Sequence, residues 1–154
     1  MIQDKSSAMN DQKLANVLGG HALTTGGLAI KTGSSPTVIT ASTVYYMIAG
    51  VLYSESAGDM AALTGTITTG YSNVAVFYVD TDGDVATAMG TQATTVAGIV
   101  FPEIPDNVAI IGFLLISNAT GSVFTCGTTA LDIGSVTTTY FNTTYPVHFT
   151  GVSV

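Results

Sequence analysis

Three aspartates at alternate positions, Asp80, Asp82 and Asp84, form the densest group of chemistry-bearing residues in the chain. Hard carboxylate oxygens spaced in this way can converge on a hard cation such as calcium. An EF-hand loop starting at Asp80 would need Gly where Val85 stands and a bidentate Glu where Thr91 stands, and neither is present. The spacing therefore reads as a solvated turn, in which Asp82-Gly83 supplies the positive φ of a tight primed hairpin. No metal and no cofactor are expected.

The nucleophile and acid-base inventory is thin. His21 and His148 lie far apart and match no metal-ligand spacing, and the chain has no Gly-x-Ser-x-Gly elbow and no phosphate loop. A triad built from a serine, His148 and an acid would be defined by geometry that a sequence does not carry. His148, between Val147 and Phe149, reads as a sheet or interface residue. Cys126 is the one cysteine, so no internal disulfide forms. With no neighbouring base or cation to lower its pKa, it reads as a small packing residue. No catalytic residue is assigned, and the chain is not read as an enzyme.

Two glycosylation sequons, Asn118-Ala-Thr120 and Asn142-Thr-Thr144, fall beside turn or strand-end signals, where Asn is favoured for hydrogen bonds to nearby backbone. Tyr45, Tyr46, Tyr53, Tyr71, Tyr140 and Tyr145 join a flat apolar face to a polar tip. They suit a sugar-stacking platform or the rim of a packed interface.

Any such site must be held by strands. Charged residues are 8% of the 154 residues and hydrophobic ones 47%, with Thr, Gly and Ser filling much of the rest, a mixture that favours strands and turns. An ordinary soluble domain is about a quarter charged. A surface with so little charge relies on hydroxyls or is occupied by other chains, which points to an assembly. All three cations, Lys5, Lys13 and Lys31, precede Thr32, and the net charge is −7. With no basic stripe to neutralise phosphates, nucleic-acid binding is not expected. The longest apolar run is about half of the roughly 20 residues a spanning helix needs, so no membrane partner is expected either. The polar N-terminal residues give no expectation of a secretory signal, and the lone cysteine fits synthesis in a reducing cytoplasm.

Residues 74–79, rich in β-branched and aromatic side chains, predict one arm of a hairpin whose partner is 84–89. The apolar run 108–116, entered through Pro102 and Pro105, predicts a buried strand. Shorter strands are expected at 28–31, 37–40, 43–48 and 51–54 (around Ala49-Gly50), 64–69, 122–125, 137–141 and 146–152. Residues 56–63 read as a loop or single helical turn. Eight or more short strands between turn signals predict an all-β antiparallel β-sandwich or jelly-roll-like single domain. Its body spans residues 27–154. Residues 1–26, polar and then Gly-punctuated, read as an extended N-terminal arm. Asn10 or Asp11 could cap a short helix there through Leu18, ended by Gly19-Gly20. Both main strands are apolar on both faces, so each face needs a dry partner: the sandwich covers one, and a neighbouring subunit the other. Val74, Val76, Tyr78, Ile110, Phe113 and Leu115 are the candidate core or subunit-interface residues. Lys13, Leu14, Val17 and Leu18, with the apolar three at helical spacing, are the candidate anchors of the arm.

The segments Gly26-Gly-Leu-Ala-Ile-Lys-Thr-Gly to Tyr53, Asp59-Met-Ala-Ala-Leu-Thr-Gly, Val74-Ala-Val-Phe-Tyr-Val-Asp and Phe101-Pro-Glu-Ile-Pro-Asp-Asn-Val-Ala-Ile-Ile-Gly-Phe carry a resemblance. They resemble small β-rich virion structural proteins of tailed bacteriophages, over most of residues 26–140. The resemblance implies a homotrimeric capsid decoration (cement) protein or a head fiber. Its partner would be the major capsid protein, and its location the capsid surface after synthesis in the bacterial cytoplasm. The first 25 residues lie outside the resemblance; contact with the capsid through the arm is expected from charge, since Lys5 and Lys13 offset Asp4 and Asp11 there while the body beyond Lys31 is purely acidic. A head- or tail-fiber-like appendage touching host-surface glycans is the alternative.

Overall fold

A computed structural model of the chain describes residues 19–144. It is all-β, and its organising element is a mixed seven-stranded sheet. The strands of this sheet are β1 (His21–Ala22), β4 (Val44–Ile48), β5 (Val51–Glu55), β8 (Tyr71–Val79), β9 (Val85–Met89), β10 (Ala109–Asn118) and β12 (Val136–Asn142). Strand order runs β5-β4-β1-β10-β8-β9, with β12 also pairing to β10. The central strand β10 therefore has β8 along one edge. Its other edge is shared between β1, which meets it in parallel at Ile110, and β12, which pairs antiparallel from Gly112 to Asn118.

Two smaller sheets lie apart from this path. One consists of β2 (Leu28–Ile30), β3 (Val38–Thr40) and β6 (Gly58–Asp59), the other of β7 (Thr66–Ile67) and β11 (Phe124–Thr125). The core joins Leu28, Val38, Ile67 and Phe124 from the small sheets to Tyr46, Phe77, Ile111, Leu114 and Ile116 from the large one. Met60, Leu63 and Leu131, on the connections, complete it. The result is sandwich-like, with one face of the large sheet inward.

A bulge decides which residues face in. Ala109 pairs with Val79 and Ile110 with Tyr78, but the next pair is Gly112 with Phe77, so Ile111 is the extra residue. Without it, Ala109 and Leu114 would point to opposite faces, because side chains alternate along a strand. With it, Ala109, Ile111, Leu114 and Ile116 are all buried in the core. Gly112, beside the bulge, lets β12 and Leu28 approach closely: a Cβ there would overlap the Phe141 carbonyl oxygen and lie 2.6 Å from Leu28 Cδ1.

Four sequence expectations need amendment. The boundary at 26–27 is not a structural one, since His21–Ala22 is the strand that joins β4 to β10. Gly20, read as a helix stop, instead lets the backbone pass against Val108, whose carbonyl a Cβ would overlap. The two-residue primed turn falls elsewhere than expected. Between β8 and β9 the connection is five residues long, closing on Val79 and Val85, and only Gly83 has positive φ. The primed turn lies between β4 and β5, where both Ala49 (φ 51°) and Gly50 (φ 79°) are left-handed. Finally, residues 56–63 contain strand β6 where a loop or helical turn was expected. Lys13, Leu14, Val17, Leu18, the 10–18 helix, the 146–152 strand, Tyr145 and His148 lie outside the described residues.

Candidate functional site: an uncharged sheet face

The register of the large sheet gives the identity of every side chain on the face turned away from the core. Directly paired residues share a face, so the core-facing Val79, Phe77 and Ala75 leave Tyr78, Val76, Val74 and Ser72 on the outer one. Across the pairs this face continues through Ile110, Phe113, Leu115 and Ser117 on β10, and Ala86 and Ala88 on β9. It continues through Phe141, Thr139 and Thr137 on β12, His21 on β1, Tyr45 and Met47 on β4, and Leu52 and Ser54 on β5. No Asp, Glu, Lys or Arg stands at any of these strand positions.

The six candidate core or interface residues are brought together here, all on this one face. Val74 and Val76 are buried; Tyr78, Ile110, Phe113 and Leu115 are half-buried. Val74, Phe113 and Leu115 are partly covered by residues 91–101, which pair back beside the start of β8. Ser72 and Ala93 exchange backbone hydrogen bonds of 2.8 and 2.9 Å, and Thr91 and Val100 pair in turn. Gly90 allows the approach, because a Cβ there would lie 2.5 Å from the Val100 carbonyl oxygen and 2.8 Å from Val74 Cγ1.

The cover is incomplete. Val96, Ile99 and Phe101 from this loop, with Val74, Phe113, Leu115 and Phe141 from the sheet, line an open apolar groove of about 170 Å3. Phe113 is its centre: Phe141 stacks on it with ring centroids 4.6 Å apart, and Phe101 meets it edge-on at 5.5 Å. Around it Val96, Val100 and Phe101 are 55–60% exposed and Phe141 is 40% exposed. Phe101 and Phe141 were not named as site residues from the sequence. Phe101 sits against Pro102 in a stretch read as punctuation, and Phe141 ends a Thr-rich strand with no signal of its facing.

A second exposed apolar feature is the tip of the β4–β5 hairpin. Leu52 is 61% exposed and Val51 52%, and Leu52 pairs with Met47 on the same outer face.

The residues with chemical potential do other work. The Asp80 carboxylate accepts hydrogen bonds from the backbone N–H groups of Asp82 and Asp84, both at 2.9 Å, and so holds its own loop. Among the described residues no three His, Cys, Asp or Glu side chains are grouped to hold a metal ion. Cys126 is buried, and burial pushes its thiol pKa up, opposite to what a nucleophile needs. Asn118 is buried and donates from Nδ2 to the carbonyls of Ile67 and Ser122, while Asn142 Oδ1 accepts from Leu28 N–H at 2.8 Å. Both sequon asparagines thus bond to backbone. Among the described residues the tyrosines do not form one platform. Tyr46 is buried, stacked on Tyr53 and donating to the Asp80 carbonyl, while Tyr45 is half-exposed on the outer face and Tyr140 packs against the core.

No family model, curated protein or solved structure matches this chain.

Proposed function

We propose that the protein is a non-enzymatic virion structural protein, a capsid decoration (cement) protein that assembles as a homotrimer on a phage head. The observation that carries this reading is the outer face of the large sheet: apolar and hydroxylated side chains with one imidazole, His21, across seven strands, and no Asp, Glu, Lys or Arg among them. Contiguous exposed apolar surface of this kind marks a protein interaction site. Tyr78 and Tyr45 also stand on this face, but the aromatics that line its groove are all phenylalanines, which suit the dry centre of a protein interface, whereas a sugar platform draws on Tyr and Trp for their polar edge. This favours cement over a glycan-binding fiber.

The mechanism is burial. Each copy covers apolar surface of its neighbours at about 25 cal/mol per Å2, and association costs leave only part of that as affinity. Several copies of a weak capsid contact then hold together as one strong attachment. Sedimentation equilibrium at micromolar concentration tests the oligomer, with a trimer expected and a concentration-independent monomer excluding it. A cryo-EM map of intact particles tests the location: density for this fold on the head supports cement, and density on the tail or its absence overturns it.

A further inference from the structure

We propose that copies of this chain associate head to tail: the β4–β5 hairpin tip of one copy, led by Leu52, seats in the groove that Phe101, Phe113 and Phe141 line on the next. This rests on the self-association reading above and names the surfaces that perform it.

The two features cannot satisfy each other within one chain. Strands β4 and β1 stand between β5 and β10, at about 4.8 Å per strand step. Leu52 and the groove therefore sit at separated places on the same outer face. Their shapes correspond. An apolar cavity of about 150 Å3 takes up benzene, so a groove of about 170 Å3 has room for one branched aliphatic side chain. Leu52, the most exposed of the large apolar side chains among the described residues, is of that kind.

Charge selects a second copy as the occupant. Two chains of net −7 repel, and they approach at least cost where neither presents an ionised group. Neither the groove lining nor the Val51-Leu52 tip contains one. Area selects the head-to-tail arrangement. Aromatic side chains bury about 150–250 Å2 each, and Phe101 and Phe141 are only about half exposed, so the groove patch amounts to a few hundred Å2. A stable interface needs about 800 Å2 per partner. A groove-to-groove dimer would fall short and leave Leu52 in water. In a closed ring every copy uses both its groove and its hairpin, and heterologous contacts close into a ring where the rotation between copies returns to its start.

The test is cysteine cross-linking, for which buried Cys126 gives a low background. Full-length Leu52→Cys and Phe101→Cys chains, differently tagged, are co-expressed and oxidised, and each is also oxidised alone. The expected result is a disulfide-linked heterodimer at least five-fold above either variant alone, with the double variant L52C/F101C yielding covalent species up to the trimer. No heterodimer overturns the proposal, and so does equally efficient linking of Phe101→Cys by itself, which would mean groove meets groove. Val100→Cys, on the exposed rim, replaces Phe101→Cys if that variant does not fold, with the same outcomes. Wild-type sedimentation separates the two levels. A trimer without the cross-link sinks only the docking mode, whereas a monomer sinks the self-association reading with it.

Discussion

Phe113 and Phe141 stack with ring centroids 4.6 Å apart and planes inclined by 16°, directly paired on neighbouring strands of the outer face. On the opposite face of the same sheet Phe77 is fully buried. The two faces should therefore answer differently to truncation. Phe77→Ala is expected to cost about 3–5 kcal/mol of folding stability. Phe141→Ser, at a 40% exposed position, should cost about 1 kcal/mol or less in urea unfolding of the monomer, since surface changes are small. It should instead weaken self-association at least ten-fold by sedimentation. Equal losses of folding stability for the two variants would show that Phe141 serves the fold and not an interface.

Gly112 offers a test of the close approach of β12 and Leu28 to β10. An alanine methyl there would overlap the Phe141 carbonyl oxygen and crowd Leu28 Cδ1 at 2.6 Å. Gly112→Ala should lose about 1–3 kcal/mol, the usual range for overpacking. Gly134→Ala meets nothing within 4 Å and should stay within about 0.5 kcal/mol of the wild type. Chemical denaturation of the pair decides; a neutral Gly112→Ala would mean that β12 is free to move off β10.

Much of this architecture was legible in the residues, for reasons that also explain what was hidden. The pairing of 74–79 with 84–89 follows from β-branched runs around an Asp-Gly turn, and β8 and β9 are indeed neighbours. Which face of β8 or β10 points inward was not legible. Period-two alternation carries that information only when the faces differ in polarity, and here Val74 and Val76 are as apolar as Ala75 and Phe77. The bulge at Ile111 then shifts the parity within one strand. His21–Ala22 is too short to show any period, and its place between β4 and β10 comes only from long-range pairing. The candidate interface residues on β8 and β10 were read from composition. Phe101, Phe141 and Leu52 could join them only once the register brought their strands and loop onto one face.

The Asp80 loop should behave as a structural turn. Its carboxylate holds the N–H groups of Asp82 and Asp84, and hydrogen bonds to a charged group are worth about 1.5–3 kcal/mol at most. At this exposed loop Asp80→Ala should lose about 1 kcal/mol, and Asp82→Asn should be silent. Calorimetric titration with calcium should give nothing tighter than millimolar. A stoichiometric micromolar site abolished by Asp82→Asn would overturn this account.

Alkaline pH should destabilise the protein through Tyr46. Burial first, and then the charge of Glu55, raise its hydroxyl pKa above the ordinary 10.0. The folded state keeps the proton that the unfolded chain releases, so stability is full below about pH 10 and falls as pH rises from there toward the folded-state pKa. The measurement is urea unfolding at pH 8 and pH 11, beside Tyr46→Phe. The variant loses the hydrogen bond to the Asp80 carbonyl and should be less stable at pH 8 by about 1 kcal/mol. Its decline between pH 8 and pH 11 should be shallower than that of the wild type. Parallel declines would assign the alkaline sensitivity to other groups, of which Tyr140, also raised by burial, is the first to examine.

The hairpin that carries Leu52 contains a correctable strain. Its two-residue turn places Ala49 at φ 51° and Gly50 at φ 79°, the type I′ geometry whose twist matches that of the flanking strands. Gly50 has no Cβ to oppose this. Ala49 has one, and the left-handed region costs a non-glycine residue about 1–2 kcal/mol, less for Asn, whose short polar side chain bonds locally. Ala49→Asn creates the Asn-Gly pair most favoured in such turns and should stabilise the protein by about 0.5–1 kcal/mol, read as a rise in the urea midpoint with unchanged slope. Because the turn stays two residues long, Ile48 and Val51 remain paired and Leu52 keeps its facing. Self-association should therefore be unchanged or stronger. Ala49→Val supplies the opposite sign, since a β-branched residue is poorly tolerated at positive φ. It should destabilise the hairpin and, if Leu52 is the group that docks, weaken association more than its loss of global stability accounts for. Association that follows only global stability across both variants would remove the hairpin from the interface.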